Sequence, residues 1–193
     1  VYKRQFYKLS LPLYLKAGKA QELIYWDRNT RFCGVCGSPM EMDTDISKRC
    51  PNCGKTVWPQ LATAIIVLIN RGDDLLLVHA RNFKTDFYGC IAGFVETGES
   101  LEEAVRREVM EETNLKVTAA RYLFSLPNVY RYSGIELPTL DMFYECDVED
   151  ESVLAANDDA AECMWIKPDD IHAEQFGLRS VRWGLVKYLE RQK

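Results

Sequence analysis

The chain has 193 residues, of which 47% are hydrophobic and 27% charged, and its formal net charge is -5. This length allows one well-buried domain with a small appendage and excludes two large domains. No apolar run is long enough to cross a membrane, so we expect no membrane partner. Residues 1–32 carry seven basic and two acidic side chains. Because that excess is small, we do not expect nucleic acid as the main partner and keep it as an alternative.

The first residues give a weak pattern. Residues 1–16 mix basic and aromatic side chains without a clear period, and Pro12 should interrupt any helix there. Further on, apolar residues at helical spacing predict a short helix that begins at Lys16 or Ala17 and ends at Arg28.

Four of the seven cysteines form two pairs, each followed by glycine. Their order is Cys33-x2-Cys36-x13-Cys50-x2-Cys53. This spacing predicts a tetrahedral zinc site, which is structural because four thiolates leave no position for water. The alternative is a pair of disulfides, but the other three cysteines are scattered and odd in number, as expected in a reducing cytoplasm. The predicted zinc ribbon covers residues 28–60, and its last residues, 56–60, are expected to be a linker.

Two apolar runs follow the ribbon. Residues 61–70 and 74–80 predict buried strands joined by a turn at Arg71-Gly72-Asp73. Residues 88–95 should form a strand and a loop that lead into the next helix. Small residues there, Gly93 among them, would let the backbone approach a diphosphate or its cation.

The segment from Gly93 to Leu115 contains seven carboxylates and two arginines. Ser100 is the predicted N-cap of a helix in this segment, and Glu103 would complete a capping box. The helix should end near Glu112 or Thr113.

Two carboxylates of this helix fall on the face that should be buried. The apolar residues share one arc at about 100° per residue: Leu101, Ala104, Val105 and Val109. Glu108 and Glu112 lie inside that arc, and Arg107 alone cannot neutralise both. A buried carboxylate must be paired, protonated or metal-bound. With Glu111 at the edge of the arc, the three glutamates fit Mg2+ or Mn2+ and a phosphate substrate. The alternative is an ordinary solvated acidic helix.

The same segment reads G-x5-E-x7-R-E-U-x-E-E-x-N-U, where U is aliphatic, and it resembles the Nudix box at every defined position except Asn114. The family usually has Gly there, and Asn also tolerates the left-handed conformation that ends a helix. The resemblance implies an α/β fold, an α/β/α sandwich with a mixed sheet. It also implies that Glu99 and Arg107 orient the metal-binding glutamates, and that a box glutamate or an acidic residue of a later loop is the general base.

From Tyr25 to Val117 the chain is similar to the zinc-ribbon Nudix enzymes called NADH pyrophosphatases. The resemblance predicts an N-terminal segment over residues 1–27, the ribbon, and a Nudix domain over residues 61–193. The family's Ser-Gln-Pro-Trp-Pro-Phe-Pro signature, associated with dinucleotide specificity, is replaced by SLPNVYRY at residues 125–132.

The replaced segment predicts two strands around a turn at Ser133-Gly134. Its aromatic residues are candidates for stacking on a base or nicotinamide, with core packing as the alternative: Tyr122, Phe124, Tyr130 and Tyr132. Among these we select Tyr130 and Tyr132 as substrate contacts.

The last part of the chain holds one more acidic group. Asp159 and Glu162 are candidates for a further metal ligand or the base, with a solvated turn as the alternative, and we select Glu162. Residues 178–192 predict an amphipathic core helix.

Together these patterns predict divalent-metal-dependent hydrolysis of a nucleoside diphosphate linked to another moiety. NADH, NAD+ or a related dinucleotide is the preferred substrate, and ADP-ribose or a nucleotide sugar is the alternative. A hypothesis from another class is a non-catalytic nucleotide sensor whose ribbon binds nucleic acid or protein. The sequence leaves the oligomeric state open, a homodimer included. The predicted catalytic residues are Glu99, Arg107, Glu108, Glu111, Glu112 and Glu162.

Overall fold

The structure is a computed structural model and describes residues 10–81, 88–132, 135–158, 160–172, 176 and 178–191. The chain divides into two compact units. One comprises residues 1–61 and 129–138, and the other comprises residues 62–128 and 139–193. In the part of the chain that is described, no helix combines the length and the apolar character needed to cross a membrane.

The first unit contains helix α1 (Leu11–Asn29) and a small antiparallel sheet of three strands in the order β1-β2-β3. The strands are β1 (Glu41–Thr44), β2 (Ser47–Arg49) and β3 (Thr56–Val57). Lys48, on the central strand, is buried at 5% exposure. Its Nζ lies 2.8 Å from Asp27 Oδ1 and donates to the Asp27 carbonyl at 2.7 Å and the Thr30 carbonyl at 3.0 Å. This lysine therefore ties the end of α1 to the ribbon sheet.

Two predictions for this unit are wrong. Pro12 does not interrupt the helix, because it lies in the first turn of α1, where its missing N–H would have no partner in the helix anyway. Residues 56–57 are also not part of a linker. They form β3, in which Val57 pairs with Lys48 of β2.

The second unit is built on a six-stranded mixed sheet in the order β7-β8-β4-β5-β9, with β6 paired to β4. The end of β7 and the beginning of β8, within residues 129–138, are assigned to the first unit. Its strands are β4 (Ala62–Arg71), β5 (Asp74–Ala80), β6 (Ile91–Phe94), β7 (Val117–Tyr132), β8 (Ile135–Val148) and β9 (Ala160–Ile166). Strands β4 and β8 are parallel, whereas β4 pairs antiparallel with both β5 and β6. The first two predicted strands and their turn are confirmed.

Helices α2 (Leu101–Thr113) and α3 (Arg179–Arg191) cover opposite faces of this sheet. Side chains point alternately to the two faces of a strand, so Ile65 and Val67 pack with α2, and Ile66 and Leu68 pack with α3. The two hydrophobic cores confirm the predicted α/β/α sandwich with a mixed sheet.

The C-terminal helix α3 buries its apolar face, as predicted for residues 178–192. Val181, Leu185 and Tyr188 of α3 are each at most 3% exposed. Phe124 lies in the same core, with its ring stacked on Phe143 at a centroid distance of 4.8 Å. Phe124 is therefore a core residue, and the prediction that it could stack on a substrate is wrong.

Candidate functional site

Both ends of α2 are fixed as the sequence predicted. The Ser100 hydroxyl accepts from the Glu103 backbone N–H at 3.3 Å, and Glu103 Oε2 accepts from the Ser100 N–H at 2.7 Å, which completes a capping box. At the other end, Asn114 adopts the left-handed conformation with φ 59°, and its N–H donates to the Met110 carbonyl. These local interactions set which helix face meets the sheet.

Arg107 is the centre of the polar cluster on α2. Its Nη2 and Nε donate to the two carboxylate oxygens of Glu99 at 2.6 and 3.1 Å, a bidentate pair. Its Nη1 donates to Glu108 Oε1 at 2.7 Å and to Glu111 Oε2 at 3.2 Å. Nη2 also donates to the Phe94 carbonyl at 3.0 Å, so Arg107 links the helix, the preceding loop and the end of β6.

The pKa values of two carboxyl groups in this cluster are shifted in opposite directions. Hydrogen bonds from Arg107 and from the Glu96 backbone N–H hold the pKa of Glu99 below its usual value. Burial raises the pKa of Glu108, and the hydrogen bond from Arg107 offsets that effect only in part. Arg107 stays charged, since its hydrogen bond with Glu99 is the largest cause that raises its pKa. Arg107 thus stabilises the charged form of the partly buried Glu108, and a second cation beside it would stabilise that form further.

Gly93 makes room for Glu108. A Cβ placed on Gly93 would lie 1.8 Å from Glu108 Oε1 and 2.0 Å from its carboxyl carbon. Any side chain at this position of β6 would therefore displace the carboxylate. The predicted approach of a diphosphate to the Gly93 backbone stays a prediction.

The cluster fits a divalent cation by its charge and its donor atoms. Glu99, Glu108, Glu111 and Glu112 carry four negative charges against the single positive charge of Arg107. Glu112 is partly buried and follows Glu108 by one helical turn. Carboxylate oxygens of Glu108, Glu111 and Glu112 are the kind of donor that hard cations prefer. Among the described residues, however, only the four ribbon cysteines bring their ligand atoms within 4.8 Å of one another, so the metal-binding role of the three glutamates stays a prediction.

The four predicted cysteine ligands are brought together in the ribbon. Their sulfur atoms all lie within 4.8 Å of one another, and the Cys33–Cys53 and Cys36–Cys50 pairs are each 3.5 Å apart. A tetrahedral site with Zn–S bonds of about 2.3 Å requires sulfur atoms about 3.8 Å apart, so the geometry fits a four-thiolate metal site. The Val35 N–H donates to Cys33 Sγ at 3.4 Å, as expected for a thiolate.

The remaining predicted site residues are less closely connected to α2. Glu162 pairs with His79 across β9 and β5, and alternation directs it to the face opposite Cys163, which packs on the α2 side of the sheet. Asp159 lies outside the described residues. Tyr130 is partly buried, the side chain of Tyr132 is outside the described part, and both belong to residues 129–138 of the first unit. The roles of Glu162, Tyr130 and Tyr132 stay predictions.

Phe94 is a candidate that sequence reasoning missed. It is the last residue of β6, its side chain is 38% exposed, and its carbonyl accepts the hydrogen bond from Arg107. It pairs with Ala64 of β4, so its side chain points to the α3 face of the sheet. An aromatic residue directly after the first glycine of the box was the available signal.

Comparison with known families agrees with this geometry. Residues 58–188 match the NUDIX domain, and residues 28–57 match the NADH pyrophosphatase zinc ribbon domain. The first match covers well over half of the chain, so the protein belongs to the NUDIX family, whose members use divalent metals, and it carries a zinc ribbon ahead of that domain.

Similar curated proteins include NAD-capped RNA hydrolases NudC. The one from Deinococcus radiodurans is 36% identical over 160 residues, 80% of this chain and 55% of that protein. The one from Citrobacter koseri is 34% identical over 169 residues, 87% of this chain and 63% of that protein. The chain thus spans little more than half the length of these relatives. A NUDIX hydrolase structure from Nitrosomonas europaea aligns with a TM-score of 0.61 at 19% identity, covering 84% of this chain and 92% of that one, which shows the fold alone.

Proposed function

We propose that this protein hydrolyses the diphosphate bond of NAD-type dinucleotides with the help of a divalent cation. The observation that carries the proposal is the cluster around Arg107, in which one cation contacts three glutamates and one of them, Glu108, is partly buried. Such an excess of negative charge is stable in a partly buried site when a bound metal ion neutralises it, and that ion can in turn bind a phosphate.

The residues of the cluster have distinct tasks in the proposed reaction. Glu108, Glu111 and Glu112 would hold Mg2+ or Mn2+, which neutralises the diphosphate and lowers the pKa of a water molecule. Arg107, itself held by the bidentate pair with Glu99, would orient Glu108 and Glu111 through its hydrogen bonds to them. In the reaction, a water oxygen forms a bond to one phosphorus, the anhydride P–O bond breaks, and the proton of the water passes to a carboxylate.

A box glutamate is a better candidate for the general base than Glu162. Glu162 points to the sheet face opposite Cys163, whereas the box glutamates lie on α2 itself. The base assignment is part of this proposal.

The dinucleotide is favoured over other diphosphates by the ribbon. The zinc ribbon match lies directly before the NUDIX match, as in an NADH pyrophosphatase. The relatives are named for the hydrolysis of NAD-capped RNA, which makes the 5′ end of a capped RNA a second candidate substrate and strengthens the alternative, kept from the sequence, that nucleic acid is a partner. We assign zinc as the metal bound by the four cysteines. We also assign the protein to the cytoplasm, because free thiols are oxidised in compartments that are not reducing.

The ribbon has one feature that favours contacts with RNA and another that opposes them. Phe32 is 61% exposed, and the Arg31 guanidinium lies 5.8 Å from its ring centroid, a pair suited to a stacked base. However, Glu41 and Asp43 of the neighbouring strand β1 are exposed and would repel a phosphate backbone. Lys48 of β2 is buried and cannot offset their charge. We therefore place the free dinucleotide first.

A comparison of substrates tests the proposal. The value of kcat/KM should be measured for NADH, NAD+, ADP-ribose and an NAD-capped RNA at one Mg2+ concentration. We expect the dinucleotides to be cut to mononucleotides, with NADH at least as good a substrate as ADP-ribose. A preference of more than about tenfold for ADP-ribose, roughly 1.4 kcal/mol, would overturn the choice of substrate and leave the reaction type standing. Binding of nucleotides without turnover would favour the sensor hypothesis instead.

A further inference from the structure

The C-terminal end of α2 is joined to a loop that lies far from it in the chain. Residues 149–158 are the described part of the loop between β8 and β9 (the β8–β9 loop). The last four carbonyl groups of a helix have no partner inside it. In α2, the Glu112 carbonyl accepts from the Asn157 N–H at 2.9 Å, and the Thr113 carbonyl accepts from the Ala155 N–H at 3.0 Å. The loop therefore closes the end of the helix that carries the box glutamates.

The side chain of Asn114 adds a further connection to this loop. Asn114 follows α2 directly, has φ 59°, and its Nδ2 donates to the Val153 carbonyl at 3.1 Å. Val153 is the last residue of a short 3-10 helix in the loop, Glu151–Val153. The left-handed conformation does not itself need this side chain, because glycine adopts it without steric cost. What asparagine supplies beyond glycine, the usual residue of the Nudix box at this position, is the amide and its hydrogen bond.

The rest of the β8–β9 loop supports this arrangement. Its 3-10 helix is capped inside the loop, where Asp150 Oδ1 accepts from the Ser152 N–H at 2.9 Å. Leu154 and Ala156 pack against the hydrophobic core on the α2 side of the sheet. Residues 153–157 thus alternate between hydrogen bonds to the end of α2 and contacts with this core, so the loop meets the helix in one register.

Glu112 lies in the helical turn that these hydrogen bonds fix. It is a predicted metal ligand, its carbonyl accepts from the loop, and only Thr113 separates it from Asn114. Helix ends fray, and their last carbonyl groups need partners from outside the helix. Because Mg2+ demands nearly ideal octahedral geometry, a carboxylate on a fraying turn would be a poor ligand. The position of the Glu112 carboxylate therefore depends on how firmly the β8–β9 loop is attached.

We propose that Asn114 is a positioning residue for the divalent cation, because its bond to Val153 attaches the β8–β9 loop and so keeps Glu112 in place. The inference rests on the proposed metal-dependent hydrolysis, which assigns Glu112 as a ligand. It differs from a simple helix cap in its consequence. Glycine ends a helix at least as well as asparagine does, whereas the proposed attachment is lost with the side-chain amide.

Binding of Mn2+ to Asn114→Gly tests the proposal without turnover. The variant keeps the left-handed conformation and loses only the side chain, and it should fold, because glycine is the usual residue of the box at this position. Electron paramagnetic resonance measures free Mn2+ during titration of the purified protein, and comparison with Glu112→Gln identifies the binding that depends on Glu112. We expect the Kd of this binding to rise about threefold to tenfold, the range that corresponds to loss of one hydrogen bond.

Hydrogen exchange followed by mass spectrometry reports the attachment itself. The N–H groups of Ala155 and Asn157 donate to α2, so they should be protected in the unmutated protein. Peptides that cover residues 149–158 should exchange faster in Asn114→Gly, because the loop has lost one of its connections to the helix.

Asn29→Gly is the matched control. Asn29 is the last residue of α1, and its Nδ2 donates to the Tyr25 carbonyl at 2.7 Å. The control therefore loses the same kind of hydrogen bond at the end of a helix, but in the first unit. Both the binding of Mn2+ and the exchange of the β8–β9 loop should be the same as in the unmutated protein.

Three results would overturn the positioning role and leave the proposed function standing. The first is a Kd for Mn2+ that rises less than about threefold in Asn114→Gly, and the second is an equal rise in Asn29→Gly. The third is weaker binding without faster exchange of the β8–β9 loop, because the loop would then not carry the effect. If the unmutated protein showed no Mn2+ binding that depends on Glu112, the proposed metal site and this inference would fall together.

Discussion

At the scale of single residues, the candidate active site depends on how the Arg107 guanidinium divides its hydrogen bonds among the surrounding glutamates. Arg107 contacts three glutamates and a backbone carbonyl, which leaves the cluster with a net negative charge. A charge imbalance of this kind is unfavourable in a partly buried site unless a further cation binds. The negative charge of the cluster is what the sequence-based hypothesis of a metal site requires, and the identity of the metal ligands stays a prediction.

Glu112→Gln tests the metal-binding role directly. The change removes one negative charge and almost no volume, so we expect the fold to be kept and kcat to fall by far more than tenfold. The measurements are steady-state kinetics and circular dichroism. A loss smaller than about tenfold, roughly 1.4 kcal/mol of barrier, would show that Glu112 is not a metal ligand.

Gly93→Ala tests the space reserved for Glu108. The new methyl group would overlap the Glu108 carboxylate, so we expect at least about a tenfold loss of kcat/KM and a higher Mg2+ concentration for half-maximal activity. Gly89→Ala is the matched control, because a Cβ there meets nothing within 4 Å. Equal activity of the two variants would contradict the proposed positioning of Glu108.

At the scale of elements, the packing of α3 depends on a close contact with the sheet. Gly184 faces Phe143 of β8, and a Cβ on Gly184 would lie 2.2 Å from the ring. The helix therefore approaches the sheet at a position where only glycine fits. Helix propensity alone would favour alanine by about 1 kcal/mol, so here the packing decides the residue.

Gly184→Ala should destabilise the second unit. Overpacking a core costs about 1–3 kcal/mol, and the gain in helix propensity offsets about 1 kcal/mol of it. Because the overlap with Phe143 is severe, we expect the upper part of the remaining range, a net loss of about 2 kcal/mol. Gly18→Ala in α1 meets nothing within 4 Å and should be neutral or stabilising. Urea unfolding monitored by circular dichroism measures both effects. A Gly184→Ala variant as stable as wild type would mean that α3 can move away from Phe143 at little cost.

The ribbon is the second element with a testable role. Cys36→Ser and Cys53→Ser should each abolish bound zinc and destabilise residues 28–60, because thiolates supply the binding energy. We expect dinucleotide hydrolysis to be retained in part, since the glutamate cluster belongs to the other unit. Elemental analysis of purified protein gives the metal content, with Cys163→Ser, outside the cysteine cluster, as the control. Wild-type protein without zinc would contradict the assignment.

At the scale of the whole molecule, local signals in the sequence predicted the ends of α2 and the cysteine site, whereas the sandwich was predicted from the resemblance to the Nudix family. The capping box at Ser100, the left-handed Asn114 and the paired cysteines depend on near neighbours, and each is found where predicted. Pro12 shows the limit of local reasoning, because its effect depends on whether it lies in the first turn or further inside a helix.

The candidate site was predictable only in part, because strand register is not local. Pairing of β4 with β6 places Phe94 beside Ala64, and the Phe94 carbonyl accepts from Arg107, although these residues are far apart in the chain. The buried position of Phe124 likewise depends on its contact with Phe143. Neither arrangement leaves a periodic pattern in one segment, so the sequence could not reveal it.

Hydrolysis in water labelled with 18O tests the central claim most directly. The protein should be incubated with NADH, with and without Mg2+ or Mn2+, and the products analysed by mass spectrometry. We predict two mononucleotides, AMP and the reduced nicotinamide mononucleotide, with one 18O atom on a phosphate and no turnover in the absence of the metal ion. Intact NADH after prolonged incubation with either metal, or the same turnover after its removal, would contradict the account.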